Sequence, residues 1–216
     1  MPIQENLIKI KSEIPSSVTL VVVTKTHATE KLLEVYNAHH KIFGENKVQE
    51  MLDKYEQLPK DIDWHLIGHL QTNKVKFIAP FVKLIHSVDS LKLLIEINKQ
   101  AQKNNRVIDC LLQIFIAQEE TKFGLDETEA AELLNSHVLT KLTHIKIVGL
   151  MGMASNTNNA EQVKKEFQSL KFFFDKQKVM HPQLQILSMG MSGDYKMAIE
   201  QGSNMVRVGS AIFGSR

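Results

Sequence analysis

One lysine, two glycine–serine loops and one arginine are the residues of this sequence whose types and places point to chemistry. Lys25 ends the apolar, β-branched run Val18-Thr19-Leu20-Val21-Val22-Val23-Thr24. Such a run reads as a buried strand of a parallel sheet, and α/β folds place their chemistry at strand C-termini. Taken alone, a lysine there also fits the solvated exit of a strand. Far along the chain lie Ser188-Met189-Gly190-Met191-Ser192-Gly193 and Gly209-Ser210. Glycine lets a ligand approach the backbone, free N–H groups at a helix start attract anions, and serine adds a hydroxyl; together the loops suit a phosphate. Arg207 stands in Met205-Val206-Arg207-Val208-Gly209, on the strand face of Met205 and Gly209. A charge on an apolar strand needs a partner. In a chain whose arginines are Arg106, Arg207 and Arg216, it reads as a ligand contact. A lysine amine can attack an aldehyde or ketone. With a phosphate anchored nearby, two chemistries fit: a Schiff base with a sugar phosphate, as in an aldolase, or one with pyridoxal 5′-phosphate (PLP).

These residues act together only if the fold brings them to one rim. Residues 4–12 read as a short helix. Strands are then expected at 18–25, 42–46, 63–69, 82–88, 111–117, 145–151, 185–189 and 205–209. Between them, helical spacing of apolar residues predicts helices from 29, over 48–58, 72–78, 91–104, 126–135, 158–179 and 195–201. Pro59, Pro80 and Pro182 punctuate them, and Asp89-Ser90 can cap the helix from 91. Strand then helix, eight times at about 27 residues per unit, implies a parallel sheet with helical crossovers. The expected fold is a single (β/α)₈ TIM barrel over 1–216, with a doubly wound open sheet as the runner-up. On a barrel, Lys25 shares its rim with Asn46 (after Gly44-Glu45), Gly68-His69 and His86-Ser87-Val88-Asp89.

Composition narrows the classes of function. A net charge of +2 gives no case for nucleic acid or a membrane surface. No apolar run approaches the ~20 residues of a membrane helix, and the N-terminus lacks the pattern of a signal peptide. The lone cysteine, Cys110, sits in the apolar run Ile108-Asp109-Cys110-Leu111-Leu112 and reads as a buried structural thiol. A cytoplasmic protein is expected. His65 and His69 share a strand face in this reading, but without a third ligand a metal site is not expected.

Longer strings carry a resemblance. They are Val23-Thr24-Lys25-Thr26, Phe43-Gly44-Glu45-Asn46-Lys47-Val48-Gln49-Glu50 and Trp64-His65-Leu66-Ile67-Gly68-His69-Leu70-Gln71-Thr72-Asn73-Lys74. Further on come Ile85-His86-Ser87-Val88-Asp89, Gly149-Leu150-Met151, Leu187-Ser188-Met189-Gly190-Met191-Ser192, and Val206-Arg207-Val208-Gly209-Ser210-Ala211-Ile212-Phe213-Gly214. In this order over nearly the whole chain, they resemble the PLP homeostasis proteins, the YggS/PROSC family. The resemblance implies a barrel of the alanine-racemase N-terminal type (PLP fold type III), with PLP as a Schiff base on Lys25. It implies that Ser188, Met189, Gly190, Gly209 and Ser210 hold the phosphate, that Arg207 faces the pyridine nitrogen and that Asn46 lies near the ring. His27 departs from the lysine common at that position, which puts in doubt any role for a second lysine there.

An arginine at the pyridine nitrogen disfavours its protonation and weakens the ring as an electron sink. The chain also ends at Arg216, so the additional β domain of alanine racemases is not expected. The resemblance therefore implies a carrier of PLP in vitamin B6 and amino-acid homeostasis, with PLP-dependent apo-enzymes as recipients and a monomer as the expected state. An amino-acid racemase of fold type III, with Lys25 catalytic, is the alternative.

Overall fold

Short β-branched runs and amphipathic stretches alternate, and each resolves into one strand and one helix of the computed structural model, which describes residues 2–118 and 123–214. Met1, residues 119–122, Ser215 and Arg216 lie outside them. A helix α1 (Ile3–Glu13) precedes the repeats. The strands are β1 (Thr19–Val23), β2 (Ile42–Glu45), β3 (Asp63–Leu66), β4 (Leu84–Val88), β5 (Ile108–Ile114), β6 (Ile145–Gly152), β7 (Ile186–Ser188) and β8 (Met205–Val208). The helices between them are α2 (Thr29–Asn37), α3 (Val48–Gln57), α4 (Val75–Ile78), α5 (Leu91–Lys103), α6 (Glu127–Leu134), α7 (Ala160–Met180) and α8 (Tyr195–Glu200), and the four-residue α9 (Ser210–Phe213) follows β8. Among the described residues the strands pair in sequence order, all parallel, and β8 returns to β1 to close the barrel. The open-sheet alternative is excluded by that closure.

Strand alternation divides the apolar residues into two cores. Val22, Phe43, Trp64, Ile85 and Leu112 face outward and pack under the helices, where Phe43 meets Trp64 edge-on at 5.8 Å. Val21, Leu84, Leu111, Met151 and Met205 fill the barrel interior. Side-chain caps fix several helix starts: Ser90 accepts from Leu93 N, Asn159 from Gln162 N, and Asp126 with Glu129 forms a capping box on α6.

Boundaries differ from expectation in instructive places. The fifth strand is Ile108–Ile114 rather than 111–117. The run from Ile108 to Ala117 is apolar almost throughout, so its pattern does not mark an end. The partners set it: β5 pairs along β6 to Gly152, and beyond Ile114 the backbone turns to bond Leu125, through Phe115 N to Leu125 O (2.9 Å) and Leu125 N to Gln113 O (2.8 Å). The expected helix over 72–78 opens as a tight 3₁₀ turn (Thr72–Lys74) before α4. No helix among the described residues is long and apolar enough to cross a membrane.

Candidate functional site

The inward series at the C-terminal ends of the strands opens into a cavity of about 790 Å³. Its size suits a small-molecule ligand. Val23 and Lys25 enter it from β1, Asn46 from β2, Ile67 to His69 from β3, Gln113 from β5, Met153 from β6, and Arg207, Gly209 and Ser210 from β8. Met191, Ser192 and Gly193 complete it from the β7–α8 loop. Among the described residues no carboxylate lines it, while Lys25 and Arg207 do, so the cavity favours an anion. Two flat walls are stacked pairs: His27 lies on Phe213 at 4.2 Å, and His69 on Phe123 at 4.4 Å with its Nδ1 3.3 Å from Asp89.

Five of the expected site residues meet here: Lys25, Asn46, Arg207, Gly209 and Ser210. Three do not line the cavity. The Ser188 side chain is fully buried inside the barrel, where its hydroxyl serves Arg207 and His86. Met189 packs outward in the core under the helices. Gly190 has φ 97°, and an added Cβ would come within 2.6 Å of Ala198 Cβ, so it shapes the loop and lets α8 close in. The loop reaches the rim only at Met191 to Gly193, because β7 is short and ends below it.

Ser192 reveals the anion chemistry of this corner. Its Oγ accepts from Gly209 N at 3.1 Å and Ala211 N at 3.4 Å. Two backbone N–H groups at the start of α9 thus converge on one oxygen, the arrangement a phosphate oxygen needs.

Arg207 is the terminus of a buried polar chain. Its Nη1 donates to Ser188 O (2.9 Å) and Ser188 Oγ (2.6 Å), and its Nη2 donates to Gly152 O (3.0 Å). His86 Nδ1 lies 3.2 Å from the same Ser188 Oγ, and His86 Nε2 lies 3.1 Å from His65 Nδ1. A guanidinium only donates, and the buried serine hydrogen has no other acceptor than His86 Nδ1 among the described residues. The polarity of the chain follows: Arg207 to Ser188, Ser188 to His86 Nδ1, His86 Nε2–H to His65 Nδ1. Burial holds both imidazoles neutral, His65 down to about 3 and His86 well below its ordinary value, with the neighbouring Arg207 charge adding to the effect on His86. Burial also pulls Arg207 down to about 10, which leaves it charged at neutral pH. His65 therefore belongs to the interior and His69 to the rim, and no group of three metal-ligating side chains occurs among the described residues.

Gln113 and Phe123 are cavity residues that strand patterning did not single out. Gln113 carried a signal, being the one polar side chain of the expected strand 111–117, but the late boundary expected for that strand put it mid-strand rather than at the rim.

A closed parallel barrel with a lysine, an arginine and an N–H nest on one rim is of the alanine-racemase type, and the family model described as alanine racemase, N-terminal domain, matches residues 2–216. A pyridoxal phosphate homeostasis protein of Aquifex aeolicus is 43% identical over 199 residues, covering 91% of this chain and 86% of that protein. The structure of PipY from Synechococcus elongatus without PLP superposes with a TM-score of 0.93 at 34% identity, covering 98% of this chain and 100% of that one. PipY with PLP bound gives 0.88 at 35% identity, with the same coverage. Alanine racemase of Clostridium difficile shares the fold alone, with a TM-score of 0.83 at 15% identity over all of this chain and 57% of its own. This chain belongs to the pyridoxal phosphate homeostasis protein family.

Proposed function

We propose that this chain binds PLP in the rim cavity, tethered covalently through Lys25, and serves in the cytoplasm to hold the cofactor and pass it to PLP-dependent apo-enzymes. One observation carries the reading. A lysine amine, a buried donor-only arginine and the Gly209 N–H line a single cavity free of carboxylates among its described residues, and the Ala211 N–H beside it converges on the same Ser192 oxygen. The homeostasis proteins among its relatives and PLP-bound PipY support it. The residues fit the group. Gly209 N, Ala211 N, Ser192 and Ser210 suit the phosphate, Arg207 the pyridine nitrogen, and Asn46 the ring edge. In this assignment Ser188 fixes Arg207 rather than touching phosphate. When bound, PLP supplies a reactive aldehyde and a conjugated ring. Arg207, fixed by three hydrogen bonds, disfavours protonation of the ring nitrogen, and strong carbanion chemistry is not favoured.

Reduction of the PLP-loaded protein with borohydride, followed by peptide mass spectrometry, is expected to place the adduct on Lys25. An adduct on another lysine, or none, defeats the assignment. Incubation with alanine in D₂O is expected to exchange the α-hydrogen no faster than free PLP does; faster exchange favours a racemase.

Gly68 tests the Asn46 wall. A Cβ there would lie 2.4 Å from Asn46 O and 2.8 Å from Asn46 Cα. Gly68→Ala is expected to cost about 1–3 kcal/mol in urea unfolding through this overpacking. By pushing Asn46 it should weaken PLP about tenfold in a fluorescence titration. Unchanged affinity would remove Asn46 from the site.

A further inference from the structure

We propose that Glu50 and Lys54 of α3, with Glu45 of β2, are positioning residues that set the backbone on both sides of Lys25. The inference rests on the reading of Lys25 as the tether. An ammonium has three hydrogens, and Lys54 Nζ places one on each of three oxygens: Thr24 O, Glu45 Oε1 and Glu50 Oε1, all at 2.7 Å. Thr24 Oγ1 also donates to Glu45 Oε1 at 2.5 Å. Glu50 Oε1 in turn accepts from the backbone N–H of Thr26. The carbonyl before Lys25 and the N–H after it are therefore both held from one face of α3, by residues one helical turn apart.

Two further observations argue that this clasp does more than stabilise. Thr26 has φ 65°, a left-handed conformation costly for a non-glycine residue and kept only where its surroundings impose it. Lys54 is 5% exposed and Glu45 fully buried, with Glu45 Oε2 unpartnered among the described residues. A buried ion pair is poor value as pure stabilisation, since an apolar pair of similar volume serves as well. Here the charges meet the one turn of chain that presents the reactive amine. Burial pushes the Glu45 carboxyl up. For Glu50, burial acts in the same direction but is outweighed by Lys54 and the Thr26 N–H, so its carboxyl is held below its ordinary value.

Three variants separate positioning from folding. Glu50→Leu removes the acceptor of Thr26 N–H, Glu50→Gln keeps it, and the paired Glu45→Gln/Lys54→Met removes both buried charges without stranding either. Two readouts apply. The first is amide hydrogen exchange at Thr26 in the protein without PLP, expected to quicken about tenfold in Glu50→Leu and in the paired variant and to stay near wild type in Glu50→Gln. The second compares PLP with pyridoxine 5′-phosphate, which has the same phosphate and ring but no aldehyde. Attachment of PLP to Lys25, followed by absorbance, is expected to slow about tenfold in the same two variants while pyridoxine 5′-phosphate binds with unchanged affinity. Wild-type attachment rates in the paired variant, or equal loss for both ligands, would overturn the proposal. If the wild-type protein itself attached no PLP at Lys25, the tether reading would fail separately, and Thr26 exchange would still judge the clasp.

Discussion

Lys25→Ala is expected to abolish covalent attachment: no visible band on adding PLP and no borohydride adduct on the chain. The N–H groups of Gly209 and Ala211, at the start of α9, and the guanidinium of Arg207 on β8 are held by Ser192 and Ser188 rather than by Lys25 and remain in place. The variant should therefore still bind PLP, as a freely exchanging ligand. Losing the tether should weaken binding about a hundredfold, equivalent to about 3 kcal/mol. Dialysis distinguishes the two forms, because wild type retains its cofactor and Lys25→Ala loses it. Pyridoxine 5′-phosphate, which cannot attach, should bind both proteins alike. A Lys25→Ala protein that kept the visible band would place the amine elsewhere and undo the functional reading.

The barrel was legible because its signals are local. Val18 to Val23 alternates with nothing and reads as buried, and the seven later repeats each carry their own apolar run and helical stripe. Lys25, Asn46, Arg207, Gly209 and Ser210 were legible by the same logic, as polar or glycine residues at the ends of apolar runs. The identity of the ligand came from longer strings such as Phe43 to Glu50, since a phosphate nest and a lysine fit a sugar phosphate equally. What escaped depends on contacts across the sheet. Nothing near Ser188 indicates that its hydroxyl meets Arg207 and His86 from two other strands. Lys54 reads as one more solvated lysine on α3 until the helix docks and turns it toward Thr24 and Glu45. The end of β5 escaped for the same reason, being set by Leu125 rather than by the run itself.

Acid is expected to unfold this protein from well above the carboxylate range, and the buried histidines set the size of the effect. His40, His65 and His86 titrate near 6.5 when unfolded. In the fold, burial holds His40 down to about 4, His65 to about 3 and His86 well below its ordinary value. Below pH 6.5 the unfolded chain takes up protons that the folded chain refuses, so stability falls as pH falls. The loss continues until the folded values are reached. Each such histidine costs about 1.4 kcal/mol per pH unit once well below 6.5. Between pH 7.5 and 5.5 the three together should cost about 4 kcal/mol, a large share of the 5–15 kcal/mol typical of a domain. Glu45, raised by burial, acts in the opposite sense to the histidines. Urea unfolding at pH 7.5, 6.5 and 5.5 measures the slope, and His40→Gln, outside the cavity, should flatten it by about a third. A pH-independent midpoint over that range would mean that the histidines are not held neutral. The site should feel the same titration. A proton forced onto His86 Nδ1 removes the acceptor of the Ser188 hydroxyl and sets a second cation against Arg207, so this cavity-lining guanidinium loosens as the barrel does.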